Sequence, residues 1–374
     1  MDKRLFSAPG RVEIGGNHTD HQHGPVLAAA VDLEVKCTAT PNNTNTINIE
    51  NNQYGSLSIS LDNLDMRSEE KETTAAVIRG VAAWFSKHGH KVGGFDAEIS
   101  STIPVGAGLS SSAAFEVLIG NVFKGLYGAD VTPLDIALAG KFAENVYFGK
   151  PCGLMDQAAS SFGGLNLIDF ADPENTVVTP IGSELPGYMM CVVETGGSHA
   201  DLTAEYAAIP GEMKQVANHF GFDYLNDVPI DKFYAEINDL RHAKISDRAI
   251  LRSIHFFNER TRAGAQAAAL QEGNISEFLN LVNESGRSSL AYLQNVLIPS
   301  SPEKQGLTIA LAMSEKLLSG RGAWRVHGGG FAGTILTFLP FDLKDEFKKQ
   351  MCAVFGENSC HFVNVRQLGG TELL

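Results

Sequence analysis

With 374 residues the chain is long enough for two hydrophobic cores. Hydrophobic residues make up 44% and charged residues 19%, a balance that supports buried cores and excludes an intrinsically disordered chain. A formal net charge of −14 argues against nucleic acid or an anionic membrane as partner, so any anionic ligand must be held by local features.

In chain order, the first residues lack the apolar core of a signal peptide, and no apolar run approaches the ~18 residues that span a bilayer. A cytoplasmic location and no membrane partner are expected. The segment Gly10-Arg11-Val12-Glu13-Ile14-Gly15-Gly16-Asn17-His18-Thr19-Asp20-His21-Gln22-His23-Gly24 is dense in polar groups within a glycine-rich frame. It reads either as an ordinary polar turn or as a hook for a small polar ligand. Asp20 can accept two hydroxyl hydrogen bonds, Asn17 can donate and accept, and His18 can do either according to its tautomer. The spacing of His18, His21 and His23 fits no standard zinc pattern.

Strand signals follow at residues 33–40, 46–50, 57–61 and 95–99, with a helical pattern over 75–87. Between the strand at 95–99 and a helix predicted over 111–126 lies Pro104-Val105-Gly106-Ala107-Gly108-Leu109-Ser110-Ser111-Ser112-Ala113-Ala114. Backbone N–H groups at such glycines, with a helix N-terminus behind them, can close on an anion. Three serines exceed what one cap needs, which favours phosphate binding. No lysine follows Gly108, so this is not the common nucleotide P-loop.

Thr132-Pro133 opens a helix expected to end near Gly149. Glu144 on that helix reads by default as an exposed surface acid, and only a nearby phosphate site would make it a magnesium ligand. Asp156, within Cys152-Gly153-Leu154-Met155-Asp156-Gln157, is an acid in an apolar stretch that either caps a helix or does chemistry. Gly163-Gly164, a strand over 165–170 and the Asp172-Pro173 turn place a domain boundary there, giving domains 1–170 and 171–374. Beyond it the chain reads as helical over 201–318, with strands at 323–327, 334–339 and 361–367 and a helix over 342–355. A second glycine-rich turn lies at Val326-His327-Gly328-Gly329-Gly330-Phe331-Ala332-Gly333-Thr334, either a tight connection or a close backbone approach. The fold class is α+β. Five scattered cysteines with no paired spacing fit a reducing compartment.

Together these segments resemble the three motifs of the GHMP kinases, and residues 8–20 are similar to the galactokinase signature, approximately G-R-V-N-L-I-G-E-H-T-D-Y. The resemblance spans nearly the whole chain: residues 104–114 match the ATP phosphate loop, 151–157 the catalytic-acid loop and 327–333 the third motif. It implies a two-domain α+β GHMP kinase fold with the active site in the interdomain cleft, and ATP-dependent phosphorylation of a hexose, galactose first, at the anomeric C1 hydroxyl. Carried over, Asp156 is the catalytic acid and Arg11 holds it ionised. Asn17, His18, Asp20, Gly153 and Tyr206 bind the sugar, and Gly106, Ala107, Gly108, Leu109, Ser110, Ser111, Ser112 and Ala113 bind ATP. Ser112 and Glu144 hold Mg2+. The partners implied are a small-molecule sugar and a nucleotide.

The chain departs from the signature at Glu13, Asn17 and His21, where the motif carries asparagine, glutamate and tyrosine. The motif's glutamate contacts the C6 hydroxyl. Two like charges ~4 Å apart at an effective dielectric near 20 repel by about 4 kcal/mol, so an asparagine at 17 would tolerate galacturonate. A kinase for such a C6-variant sugar is therefore the alternative. A non-catalytic sugar sensor is a second one, opposed by the intact serine run, Asp156 and Arg11. Residues 194–201 and Ala332 and Thr334 also depart from the family pattern.

Overall fold

The computed structural model describes residues 2–51, 55–104, 106–172, 175–182, 185–197, 202–331 and 333–373. The expectations at Val105, Pro173, residues 198–201 and Ala332 lie outside the described residues.

The molecule is organised around β1 (Arg4–Gly15), paired antiparallel along most of its length with β2 (Val26–Pro41). Ten consecutive residues of β1, from Phe6 onward, are buried. The first half of the glycine-rich polar segment is thus a central strand and not a turn, which corrects the sequence expectation. Val12 and Ile14 face the core while Arg11 and Glu13, on the alternate positions, are matched by opposite charges. Only the stretch after Gly15 turns, through a short 3-10 segment at Asp20–Gln22.

β3 (Thr46–Asn51), β4 (Gly55–Ser60) and β5 (Phe95–Ser101) extend the sheet, and β5 alternates buried and exposed residues as its sequence predicts. α1 (Thr74–Lys87) begins where the Thr73 hydroxyl accepts from Ala76 N. α2 (Ser111–Tyr127) follows the phosphate-loop candidate. α3 (Pro133–Phe142) opens with a capping box in which Thr132 and Asp135 bond each other's backbone, and runs through a π-helical turn at Ala143–Phe148 to Gly149. α4 (Met155–Phe162) carries Asp156 in its first turn, ahead of β6 (Leu165–Asp169) and β7 (Val177–Gly182).

The first sheet runs β12-β1-β2-β5-β3-β4, where β12 is Thr371–Leu373, and β6 and β7 branch from β2. It therefore recruits β7 and β12 from beyond residue 170. A four-stranded antiparallel sheet, ordered β11-β8-β10-β9, consists of β8 (Tyr188–Glu194), β9 (Ala323–His327), β10 (Thr334–Pro340) and β11 (Cys360–Val363). Helices α5 (Thr203–His219), α6 (Ile230–Ala235), α7 (Ile237–His242), α8 (Asp247–Gln271), α9 (Ile275–Ser288), α10 (Gly306–Leu318) and α11 (Lys344–Phe355) complete the second half. The sequence missed β1, β7, β8 and β12, and extended β11 by four residues past its end at Val363.

One core joins β1 to α1 and α2 through Phe6, Phe85 and Phe123. A second packs α5 to α8 around Phe233, Phe256 and Phe257, and a third fills the four-stranded sheet's outer face against Leu307 and Phe347.

Candidate active site

Arg11 projects from β1 into a fixed position. Its Nε and Nη2 donate to Asp156 Oδ1 and Oδ2, both at 2.7 Å, and its Nη1 donates to the Gly108 carbonyl at 2.6 Å. Ser110 Oγ donates to Asp156 Oδ2 at 2.6 Å. One arginine thus ties the acid at the head of α4 to the glycine loop before α2. Asp156 makes no capping bond to its own helix, so the capping alternative falls. Burial would raise the Asp156 pKa, but the Arg11 charge and the bonds from Arg11 and Ser110 outweigh it and hold the carboxyl below its ordinary value. A carboxylate offers about four lone-pair sites. Three are used here, and one on Oδ1 remains.

Gly108 has φ +70, and a Cβ there would meet Thr334 Oγ1 at 2.6 Å. The second glycine-rich turn therefore packs directly on the first. His327 joins it, its Nε2 accepting from Glu13 N at 3.1 Å and its Nδ1 lying 3.2 Å from Thr334 Oγ1. Gly106 is open to space, whereas the side chains of Ala107, Leu109 and Ala113 are buried, leaving only their backbone to a ligand.

Two cavities reach the chain neighbours of this junction, one at Ser111 and Ser112 and the other at Gly153 and Leu154. One, of about 670 Å³, is lined by apolar residues such as Val35, Ile49 and Phe115 and reaches Ser111 and Ser112 at the head of α2. The other, of about 470 Å³, is the more polar of the two and is lined by His18, Asp20, His21, Lys141, Gly153 and Tyr206 among others. Gly153 is needed here because a Cβ on it would lie 2.0 Å from Asp20 Oδ2. Burial and the nearby charge of Asp156 push the Asp20 carboxyl up to about 6. Tyr206 is anchored by donating to the Gly330 carbonyl at 2.8 Å.

Asn17 is not in that cavity. It is fully buried, its Nδ2 donates to Glu13 Oε1 and the Gly328 carbonyl, both at 2.8 Å, and its Oδ1 accepts from Asn295 at 2.9 Å. Glu13 in turn meets Arg325 at 2.8 Å. The expectation that Asn17 contacts the sugar's C6 end is therefore corrected: its amide is spent joining β1 to the second glycine turn.

Glu144 departs from its default reading as well, being only 5% exposed. Its Oε1 pairs with Lys150 at 3.0 Å, and Gln157 Nε2 donates to both Glu144 Oε2 and Glu116 Oε2 at 2.9 Å. Glu116 Oε1 is buried without a partner, and burial together with the Glu144 charge pushes that acid up to about 9. No group of three or more histidine, cysteine or acidic side chains able to hold a metal occurs among the described residues. Magnesium needs fewer, since it takes one or two carboxylates plus substrate phosphates and water. The oxygen chemistry of Ser112 and Glu144 fits that requirement. Glu116, Gln157, Lys141 and Lys150 were missed in the sequence. Glu116 stands inside the apolar run Ala113-Ala114-Phe115-Glu116-Val117-Leu118-Ile119, the same signal that marks Asp156.

Known proteins bear on this geometry in two ways. Residues 76–164 match the GHMP kinases N terminal domain, and residues 2–41 match the galactokinase galactose-binding signature. Among solved structures, Lactococcus lactis galactokinase complexed with galactose superposes with a TM-score of 0.85 at 24% identity, covering 100% of this chain and 95% of that one. A D-glycero-D-manno-heptose 1-phosphate kinase from Bacteroides thetaiotaomicron gives 0.66 at 18%, covering 99% and 98%. The Methanococcus jannaschii mevalonate kinase gives 0.63 at 16%, covering 98% and 99%. At these identities the superpositions speak for the fold. No helix among the described residues is long and apolar enough to cross a membrane. The chain has the GHMP kinase fold, its residues 76–164 matching the GHMP kinases N terminal domain and its residues 2–41 the galactokinase galactose-binding signature.

Proposed function

We propose that the protein is an ATP-dependent sugar 1-kinase that transfers a phosphoryl group to the anomeric C1 hydroxyl of a hexose, with galactose as the preferred sugar. The observation that carries this reading is the Arg11–Asp156–Ser110 junction between an apolar cavity and a polar one. In it, ATP occupies the apolar cavity with its phosphates toward the glycine loop at Gly106 to Ala113. The sugar occupies the polar cavity, bound by His18, Asp20, Gly153 and Tyr206.

The free lone pair on Asp156 Oδ1 receives the C1 hydroxyl and orients it for in-line attack. Arg11 keeps the acid ionised and adds positive charge beside the transferring group. Mg2+, held by Ser112 and Glu144, would neutralise phosphate charge. Transfer to an alcohol needs positioning and charge neutralisation more than covalent catalysis, and these residues supply both. The burial of Asn17 removes the reason for preferring a uronate. The intact Ser110–Asp156 contact favours turnover over sugar sensing. Five free cysteines support a reducing, cytoplasmic setting.

The test is ADP release by purified protein with Mg-ATP and a panel of hexoses and uronates. Galactose-dependent ADP release is expected. No release above background with any sugar would sink the reading.

A further inference from the structure

Three of the five cysteines converge beside the four-stranded sheet, and none of the three lines either cavity. α11 carries Cys352 in its last turn and ends where the Gly356 N–H donates to the Cys352 carbonyl at 2.9 Å. Gly356 has φ +102, which glycine adopts without steric cost, and Ser359 N donates back to its carbonyl at 3.1 Å. That turn returns the chain into β11, which opens on Cys360. On the neighbouring strand β8, Cys191 opposes Phe362, so Cys360, two residues before Phe362, shares its face of the sheet.

The sulfurs are in contact. Cys360 takes side-chain hydrogen bonds from the thiols of both Cys191 and Cys352. Ser359 Oγ lies 3.9 Å from Cys352 Sγ and 4.0 Å from Cys360 Sγ. The bond from Cys191 above all, with those from Cys352 and Ser359 and the Lys348 charge, outweighs burial and holds Cys360 below its ordinary value. The thiolate is the nucleophilic form of cysteine. Cys191 is fully buried, whereas Cys352 and Cys360 are half-buried. Diagonal neighbours such as Cys191 and Cys360 stand ~7–8 Å apart across an antiparallel pair, beyond the ~7 Å that a disulfide bridges without backbone movement. Cys352, on a separate element, is under no such constraint.

We propose that Cys352 and Cys360 form a reversible redox-modification site, at which a hydroperoxide joins the end of α11 to β11 through a disulfide. With hydrogen peroxide, the Cys360 thiolate attacks one peroxide oxygen and the O–O bond breaks. The other oxygen leaves as hydroxide and is protonated to water, and Cys360 becomes a sulfenic acid. The Cys352 sulfur then gives up its proton and attacks the Cys360 sulfur. The S–O bond breaks, and the hydroxyl leaves with that proton as a second water. The two thiols lose two electrons and the peroxide gains them. Disulfides in reducing compartments are typically transient and redox-sensing, which matches a pair that opens again under thiol reductants.

Both cysteines fall in one tryptic peptide, residues 350–366, separate from Cys191. The experiment treats the full-length protein with hydrogen peroxide, alkylates the remaining thiols and weighs that peptide. In the wild type it should be unalkylated and lighter by two hydrogen atoms, and dithiothreitol should restore two alkylatable thiols. The rate should reach half its plateau below about pH 8.5, the ordinary thiol value. Cys352→Ser should stop at a sulfenic acid on Cys360 that dimedone traps, and Cys360→Ser should slow peroxide oxidation of Cys352 at least about tenfold. Thermal melting checks that each variant is folded, and the wild-type peptide decides alone if one is not. A wild-type peptide that keeps two alkylatable thiols, or that is bridged to Cys191 or to a second copy of the chain, overturns the proposal. Sugar phosphorylation enters none of these readouts, so their failure leaves the kinase reading untouched.

Discussion

Arg11 and Glu13 stand two positions apart on one face of β1, and each meets an opposite charge at hydrogen-bond distance. Arg11 bonds Asp156, whose side chain is 29% exposed, whereas Glu13 and Arg325 are 5% and 0% exposed. The electrostatics diverge in step. Asp156 lies below its ordinary pKa because the bonds and charge from Arg11 and Ser110 outweigh burial. Glu13 lies above its own because burial outweighs Arg325. The first carboxylate is partly exposed and can meet a ligand, whereas the second is almost wholly buried, its Oε1 accepting from both Arg325 and Asn17. A buried ion pair alone therefore does not mark chemistry. An accessible carboxylate held in its ionised form does.

The sharpest way to break this contrast is Asp156→Asn. Turnover should fall by ~10³-fold, within the range for losing a positioned acid–base group, while the sugar Kd moves by less than about threefold. Normal turnover would remove Asp156 from its role.

The other pair is tested through stability. Glu13→Asn leaves Arg325 buried without its counter-charge and should cost about 3–5 kcal/mol in urea unfolding. Glu13→Asn with Asn17→Glu returns a carboxylate to the same hydrogen-bonded pair and should recover more than half of that loss. A double variant no more stable than Glu13→Asn would show that the two positions do not act as one unit.

A smaller effect concerns pH. Asp20 ionises at about 6 in the folded protein against an ordinary 3.8. The folded chain thus binds more protons than the unfolded one between those values, so Asp20's contribution to stability declines as pH rises through that window. Sugar binding should run the other way, since only the ionised carboxyl accepts two hydroxyls, and affinity should rise through pH 6 and then level off. Asp20→Asn should flatten that limb. A wild-type affinity that is constant from pH 5 to 7 would refute the assignment.

Local chemistry made much of the fold legible. The Thr132-Pro133 cap, the β5 alternation and the helical spacing after Ser111 each specify their element through neighbours in sequence, and the helices begin where expected. The central strand β1 was not legible. Its glycines, Arg11 and Glu13 look like a turn until partners more than 140 residues away neutralise the charges.

The site divides in the same way. Asp156, Arg11, Asp20, Gly153 and the serine run are recognisable by residue type and motif, because phosphoryl transfer needs those groups near glycine-rich backbone. Whether each one faces a cavity or the interior is not encoded in its type. Asn17 and Glu13 differ from the signature by an exchange of amide and acid, which in sequence looks like a change of sugar pocket. The tertiary contact of 2.8 Å between them shows the change to lie inside the protein. By itself the sequence determined which chemical groups the protein owns and most of its local elements. Only the tertiary structure decided which carboxylates stay accessible and which are buried, because that depends on partners brought together from distant parts of the chain.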